Sequence, residues 1–235
     1  MTRWIPGALI AIAFAISLAV LSQLPPAINL DMSGWFPPAL AIPAEPMPRT
    51  ALLFGMPSLA LAIWLMLHEA PAGWVGRMAW AIFRPLIGTR PEGTSDFEKY
   101  APTYRIVVIW AVSLVIGIHL AALAVALDWP VAPGSIVGFV FGIGLVVVGN
   151  VMPRLRPNPI AGVRTRQTLR DPKAWARVHR RLGGMWIISG VIIVVVGFVA
   201  PRYAFVTAVG LLTLSLLAGL AGGGGKNDVA LTSKD

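Results

Sequence analysis

The chain has 235 residues, of which 57% are hydrophobic and only 12% are charged. A soluble globular domain carries about 25% charged residues, so this composition excludes that class and indicates a membrane protein. The formal net charge is +9 and cysteine is absent, which excludes disulfides and thiolate chemistry.

Six apolar runs are long enough to cross a bilayer, for which about 20 residues are needed. They predict an all-α membrane protein with six transmembrane helices, in the runs Ile5–Leu24, Thr50–Leu67, Ile106–Leu127, Gly134–Met152, Met185–Ala200 and Ala204–Leu220. The last two runs are separated only by residues 201–203, which predicts a tight helical hairpin.

The distribution of Lys and Arg predicts the orientation of the chain. Loops 68–105 and 153–184 hold five and nine of them, whereas 25–49, 128–133 and 201–203 hold one, none and one. Basic loops are retained on the cytoplasmic side of a membrane. Both basic loops and both termini are therefore predicted to be cytoplasmic.

The N-terminal unit, 1–67, is predicted to contain two spans and an outer loop. Seven prolines between residues 25 and 49 oppose regular structure in that loop. Its Trp35–Phe36 pair either contacts a ligand arriving from outside or anchors the loop at the outer interface.

The loop 68–105 contains a second apolar pattern, in Gly73–Leu86. Trp74, Met78 and Ile82 share one face of a helix, which predicts an amphipathic helix in the membrane plane. Anchoring is the favoured role and docking of a cytoplasmic partner is the alternative. The neighbouring His68-Glu69 pair lacks a second His at i+4, so the zinc-protease pattern fails.

The C-terminal unit, 106–235, has one ionisable residue within its spans, His119. It either hydrogen-bonds a neighbouring helix or binds a proton or ligand. No span contains Asp or Glu that could form a relay with it, so we favour the structural role and do not expect an ion-coupled transporter.

The loop 153–184, here called the basic segment, is the most distinctive part of the chain. Asp171 and Pro172 are suited to the N-cap and first position of a helix. This helix is expected to lie in the headgroup layer until the chain turns inward at Gly183–Gly184. Its apolar face comprises Trp175, Val178, His179 and Leu182, and the cations of the segment are Arg154, Arg156, Arg164, Arg166, Arg170, Lys173, Arg177, Arg180 and Arg181.

The basic segment resembles the C-terminal part of the SdpI family of bacterial membrane proteins. The resemblance rests on Asn150, Pro153–Arg154, Asn158, Gly162-Val163-Arg164-Thr165, Trp175, His179–Arg180 and Gly183. It implies an immunity protein that protects its producer against a secreted killing peptide. It also implies a signalling receptor that holds a transcriptional repressor at the membrane.

The functional residues that this resemblance implies are Asn150, Arg154, Asn158, Gly162, Arg164, Thr165, Trp175, His179 and Arg180. Arg164 is expected to orient the loop by bonding carbonyls, lipid phosphate or a partner, and Trp175 to set the depth of the interfacial helix. The expected partners are membrane lipids, a peptide toxin and a cytoplasmic repressor. No cofactor, metal or catalytic residue is expected.

A second resemblance concerns the N-terminal domain of unknown function found in many family members. Leu24-Pro25 and the run Asn29-Leu30-Asp31-Met32-Ser33-Gly34 match its first loop. Asn29 stands where the pattern has a His, so a metal or proton role of that His does not carry over.

An alternative function is a membrane enzyme or binding protein for anionic lipid or lipid-phosphate headgroups. The arginines of the basic segment, with His179 and Asn158, could clamp a phosphate. Phosphoryl transfer usually also needs carboxylates for magnesium, and Glu92, Asp96, Glu98 and Asp171 show no paired spacing. Nucleic-acid binding is not expected, because the basic residues concentrate in loops beside predicted spans.

Overall fold

The computed structural model describes residues 2–31, 35–40, 45–68, 73–87, 97, 100–158 and 160–223. The helices are α1 (Ile5–Val20), α2 (Arg49–Leu67), α3 (Trp74–Ile87), α4 (Ala101–Ala126), α5 (Pro133–Val151), α6 (Arg166–Arg170), α7 (Pro172–Val199) and α8 (Ala204–Gly223). Two short strands are β1 (Ala27–Asn29) and β2 (Pro46–Pro48).

Six of these helices are long and apolar enough to cross a membrane, namely α1, α2, α4, α5, α7 and α8. This confirms the predicted all-α, six-span architecture. The orientation of the chain, with both termini cytoplasmic, stays a prediction.

Helix α4 lies between two groups of helices. On one side it packs against α1 and α2, and on the other against α5, which packs in turn against α7 and α8. His119 of α4 is fully buried in the first group, where its Nε2 lies 3.0 Å from the Ser17 Oγ of α1. Ser17 Oγ also lies 2.7 Å from the carbonyl oxygen of Leu53 in α2, so Ser17 links His119 of α4 to both α1 and α2. The structural role of His119 stays a prediction.

Helices α5 and α7 pack backbone to backbone through three pairs of glycines, here called the glycine seam: Gly138–Gly197, Gly142–Gly190 and Gly149–Gly183. A Cβ added to Gly142 would lie 2.6 Å from the carbonyl oxygen of Gly190, and a Cβ added to Gly149 would lie 2.7 Å from that of Gly183. Small residues allow helix backbones to approach this closely. In a membrane this packing stabilises the helix pair, because the surrounding lipid supplies no hydrophobic driving force for helix association.

The glycine seam explains why the predicted turn at Gly183–Gly184 is wrong. Helix α7 is continuous over 28 residues, a length of about 42 Å, which exceeds the hydrocarbon core of about 30 Å. Gly183 serves close packing against Gly149. The cation-bearing residues 172–181 therefore extend the spanning helix beyond its apolar part, 182–199, instead of lying as a separate helix in the membrane plane.

Helix α3 forms where a helix was predicted, with each end one residue later in the chain than predicted, and it packs against α6 of the basic segment. Trp74, Met78 and Ile82 are exposed on it, as the pattern predicts. Its position in the plane of a membrane stays a prediction. Glu69, Glu92, Asp96 and Glu98 lie outside the described residues.

The outer loop was expected to be irregular, and this is wrong for its two ends. β1 and β2 pair antiparallel, with Ala27 opposite Pro48, and the two-stranded ribbon leaves outer edges on which prolines need no partner. Arg49 ties the ribbon to the segment that follows α1, since its Nη1 donates to the Leu24 carbonyl at 2.7 Å. Trp35 is buried in the protein, and Phe36 packs edge-on against Phe205. Whether the pair contacts a ligand or anchors the loop stays a prediction.

We expect Gly190→Leu to destabilise the protein strongly. Any side chain at residue 190 meets the carbonyl oxygen of Gly142 and the backbone nitrogen of Val146, and such overpacking costs about 1–3 kcal/mol or more. Gly184→Leu is the matched control, because a Cβ at that position meets nothing within 4 Å. Thermal unfolding of the detergent-purified proteins measures the effect, and equal midpoints for the two variants would contradict the glycine seam.

Candidate functional site

The chain between α5 and α6 is held in shape by the buried side chain of Asn158. Its Nδ2 donates to the carbonyls of Arg156 (2.9 Å) and Ala161 (3.2 Å), and its Oδ1 accepts from the backbone N–H groups of Ile160 (3.0 Å) and Ala161 (2.7 Å). An amide has two donor hydrogens and one acceptor oxygen, so all its polar groups are used within the loop. Asn158 therefore shapes the turn and does not point to a ligand.

His179 connects this turn to α7. The backbone N–H of Val163 donates to its Nε2 at 3.1 Å, and its Nδ1 lies 2.8 Å from the carbonyl oxygen of Trp175. A backbone N–H can only donate, so Nε2 is unprotonated and the ring proton resides on Nδ1, which donates to Trp175. The imidazole is fully buried and neutral, and both its nitrogens are used.

Trp175 makes a second connection of the same kind. Its Nε1 donates to the carbonyl of Leu155 at 2.6 Å, and its ring stacks on the His179 ring with centroids 3.9 Å apart. The two stacked rings hold both ends of the turn, Leu155 and Val163, against α7. Trp175 is buried within the protein, so the expectation that it sets the depth of an interfacial helix is wrong.

Gly162 faces the His179 ring and cannot be replaced without strain. Its φ is +98°, a conformation that favours glycine. A Cβ at this position would also collide with the Nε2 of His179. The close approach of Gly162 is what allows the Val163 N–H to reach the imidazole.

Thr165 completes the arrangement as the N-cap of α6. Its Oγ1 accepts from the Thr168 N–H at 3.1 Å, and its own N–H donates to the Thr168 Oγ1 at 2.9 Å, a reciprocal capping box. The hydroxyl of Thr168 lies 2.8 Å from the Val163 carbonyl, which ties α6 to the turn. Thr168 was not among the predicted residues, although its spacing from Thr165 is the signal that identifies such a cap.

These contacts define one buried unit, here called the His179 hub. It comprises Leu155, Asn158, Gly162, Val163, Thr165, Thr168, Trp175 and His179. Five of the nine predicted functional residues lie in it. The other four, Asn150, Arg154, Arg164 and Arg180, are exposed around it, and Asn150 lies at the end of α5 with no hydrogen bond to the hub.

The charge of the basic segment lies entirely on the outside of the His179 hub. All nine Lys and Arg side chains of residues 153–184 are exposed. The acid of the segment, Asp171, caps α7 by accepting from the Lys173 N–H at 2.8 Å. A neutral, closed interior thus carries a strongly cationic surface.

Burial governs the titration of the hub, which lies outside the apolar part of α7. Desolvation lowers the pKa of His179 to about 4, against a smaller opposing effect of its bond to the Trp175 carbonyl. Desolvation also lowers the pKa of Arg164, although an arginine stays charged at neutral pH. Within the described part of the chain, no group of three or more His, Asp or Glu residues could hold a metal ion.

Comparison with known proteins relates this region to a named family. Residues 154–223 match the SdpI/YfhL protein family. The chain is also 30% identical over 100 residues to the protein named Immunity protein SdpI of Bacillus subtilis (strain 168), a match covering 43% of this chain and 48% of that protein. It thus spans about half the length of the curated relative it matches. No solved structure matches the chain.

The predicted resemblance is therefore confirmed over the region that contains the whole His179 hub. Together with the six helices long enough to span a membrane, it indicates a multi-pass bacterial membrane protein whose C-terminal region is similar to the SdpI/YfhL family. The family match begins at residue 154, so the N-terminal resemblance stays a prediction, and Met32–Gly34 of its pattern lie outside the described residues.

We expect the stability of the protein to fall in acid because of His179. The folded pKa of about 4 lies below the ordinary value of 6.5. The unfolded chain therefore takes up the proton first, and the stabilisation is complete above pH 6.5 and is lost as the pH falls toward 4. Between these two pH values, the titration of one group changes the free energy of unfolding by at most about 1.4 kcal/mol per pH unit.

The control for this prediction is His179→Gln, which keeps a donor and an acceptor but does not titrate. Thermal midpoints measured from pH 7 to pH 4 should fall more steeply in the wild type than in this variant. Identical pH profiles would show that His179 is not buried in its neutral form.

Proposed function

We propose that this chain is an integral membrane immunity protein that protects a bacterium against a membrane-active peptide toxin. The observation that carries the proposal is the match of residues 154–223 to the SdpI/YfhL family, supported by a relative named as an immunity protein. The six spanning helices place such a protein where a membrane-active peptide acts.

The proposed mechanism is non-catalytic. An imidazole such as His179 can act as a general base, yet both its nitrogens are engaged within the fold and Gly162 covers its Nε2 side. Asn158 is similarly engaged with the backbone. These side chains support a structural part in protection more than a part in lipid-phosphate chemistry.

The glycine seam supplies a route between the two faces of the membrane. Its Gly149–Gly183 pair lies beside the His179 hub, and its Gly138–Gly197 pair lies toward the opposite end of α5 and α7. Packed backbones have little room for gradual deformation, so two helices in such contact move together. We propose that capture or exclusion of the peptide at the outer leaflet is stabilised by the basic segment through this seam.

The exposed arginines carry the positive charge at the surface of the site. Arg154, Arg164 and Arg180 surround the closed hub and present guanidinium groups, which bind carboxylate or phosphate through paired hydrogen bonds. Arg164 follows Val163 directly, so the hub fixes its backbone.

Signalling is a second candidate function, in which a cytoplasmic repressor is held at the membrane. The observation that favours it is the contact between α3 and α6, which brings the exposed side chains of Trp74, Met78 and Ile82 beside the basic segment. Apolar and cationic surfaces side by side suit the docking of a soluble protein. If the protein signals in this way, a soluble repressor moves to the membrane when the toxin is present.

We expect expression of the wild-type protein to protect a sensitive bacterium against at least one member of a panel of membrane-permeabilising peptides. Arg164→Ala, matched for expression, should raise sensitivity about tenfold, the effect of losing one charge-assisted hydrogen bond of about 1.5 kcal/mol. Survival at graded peptide concentrations is the measurement.

Arg166→Ala is the control, because Arg166 is also exposed and lies two residues away at the start of α6. It should protect as well as the wild type. Equal loss of protection in the two variants would show that only total charge matters, and failure of the wild type against every peptide would favour the alternative of lipid or lipid-phosphate binding.

A further inference from the structure

A cavity distinct from the basic segment lies where α1 begins, α2 ends and α4 begins. It is lined by Arg3, Trp4, Pro6, Trp64, Leu65, His68, Arg105 and Val108, and its volume is about 240 Å³. Val108 also lines the neighbouring cavity that reaches Gly162, so this cavity lies at the same end of the bundle as the His179 hub.

The charged residues of this cavity are cations. Arg3 and Arg105 come from different helical elements and both line it, and none of the described lining residues is acidic. Among the described residues, no carboxylate forms an ion pair with either arginine, and the contact that Arg3 makes is with the ring of Trp4, at 4.9 Å. Two guanidinium groups beside one enclosed space indicate a site for an anion.

The remaining walls suit an anion at a membrane surface. Trp4 packs edge-on against Trp64, with ring centroids 6.3 Å apart. The centroids of the Trp64 and His68 rings are 6.0 Å apart. The indole N–H of Trp64 is buried without a hydrogen-bond partner among the described residues, which leaves one donor unsatisfied. Buried donors usually have partners, so such an N–H indicates a missing acceptor.

Helix dipoles add to the positive potential. The first turn of α1 lines the cavity through Pro6 and the second turn of α4 lines it through Arg105, and neither helix start has a side-chain cap. The N-terminus of a helix carries about half a positive charge and favours anions. The end of α2 contributes the opposite sign, which the two arginines outweigh.

We propose that this cavity binds a phosphate group, held by Arg3 and Arg105 and accepting from the indole N–H of Trp64. Its volume suits a phosphate and a short polar backbone but not a whole lipid, since drug-sized ligands need about 300–1,000 Å³. The exposed side chains of Trp4 and Leu65 at its mouth are placed to contact the acyl chains of a lipid whose headgroup occupies it. The two possible sources are thus a phospholipid headgroup and a soluble phosphate ester.

Native mass spectrometry of the purified full-length protein tests this proposal, with dioctanoyl phosphatidic acid as the probe and dioctanoyl phosphatidylcholine for comparison. The wild type should retain one phosphatidic acid molecule in preference to phosphatidylcholine. Arg3→Gln/Arg105→Gln should bind it at least about tenfold more weakly, as expected for loss of charge-assisted hydrogen bonds. Competition by glycerol 3-phosphate would identify a soluble phosphate ester as the ligand, and its failure to compete would identify the lipid.

The control is Arg156→Gln/Arg202→Gln, which removes the same charge from exposed positions outside the cavity. It should bind as the wild type does, and equal weakening of both double variants would overturn the proposal. So would unchanged binding in the cavity variant. If that variant does not fold, Arg3→Gln alone carries the test, because Arg3 is exposed before the start of α1.

Discussion

The fold of the basic segment depends on one neutral imidazole. His179 accepts from the Val163 N–H and donates to the Trp175 carbonyl, while Trp175 stacks on it and holds Leu155. Burial of a polar group is unfavourable unless the group is hydrogen-bonded, and these polar groups are hydrogen-bonded within the protein. This arrangement lets nine cations be displayed on a segment that contains a single acid, because no charge is needed inside it.

The glycine seam imposes the second constraint. Gly149 and Gly183 hold the backbones of α5 and α7 in contact where the apolar part of α7 begins. The cation-bearing first turns of α7 are a continuous extension of a spanning helix. The hub and the seam together form one unit in which the shape of the basic segment is coupled to the packing of the spans.

Much of the architecture was predictable from the sequence. The six apolar runs identified the six spanning helices, Asp171–Pro172 marked the start of α7, and the Gly162-Val163-Arg164-Thr165 pattern located the hub. The roles within the pattern were not predictable. A stripe of Trp175, Val178, His179 and Leu182 has the same helical period whether it faces lipid headgroups or protein, and only the packed structure shows that all four are buried.

Two other errors have similar physical causes. Gly183–Gly184 suggested a break because glycine weakens helices, but a glycine that lets two backbones touch recovers more in packing than it loses in propensity. The prolines of the outer loop suggested irregular structure, yet the two-stranded ribbon of β1 and β2 leaves their missing N–H groups on its outer edges. In both cases the local structure depends on a contact with a segment distant in sequence, which the local pattern does not reveal.

The most direct test of the account is hydrogen–deuterium exchange across residues 155–170 in Gly162→Ala, compared with Gly184→Ala. The first variant places one methyl group against the Nε2 of His179, and the second places one in open space. The account predicts that the backbone amides of Val163, Ile160 and Ala161 are protected in the wild type and in Gly184→Ala, and exchange rapidly in Gly162→Ala. Undiminished protection in Gly162→Ala would show that the imidazole does not organise the basic segment.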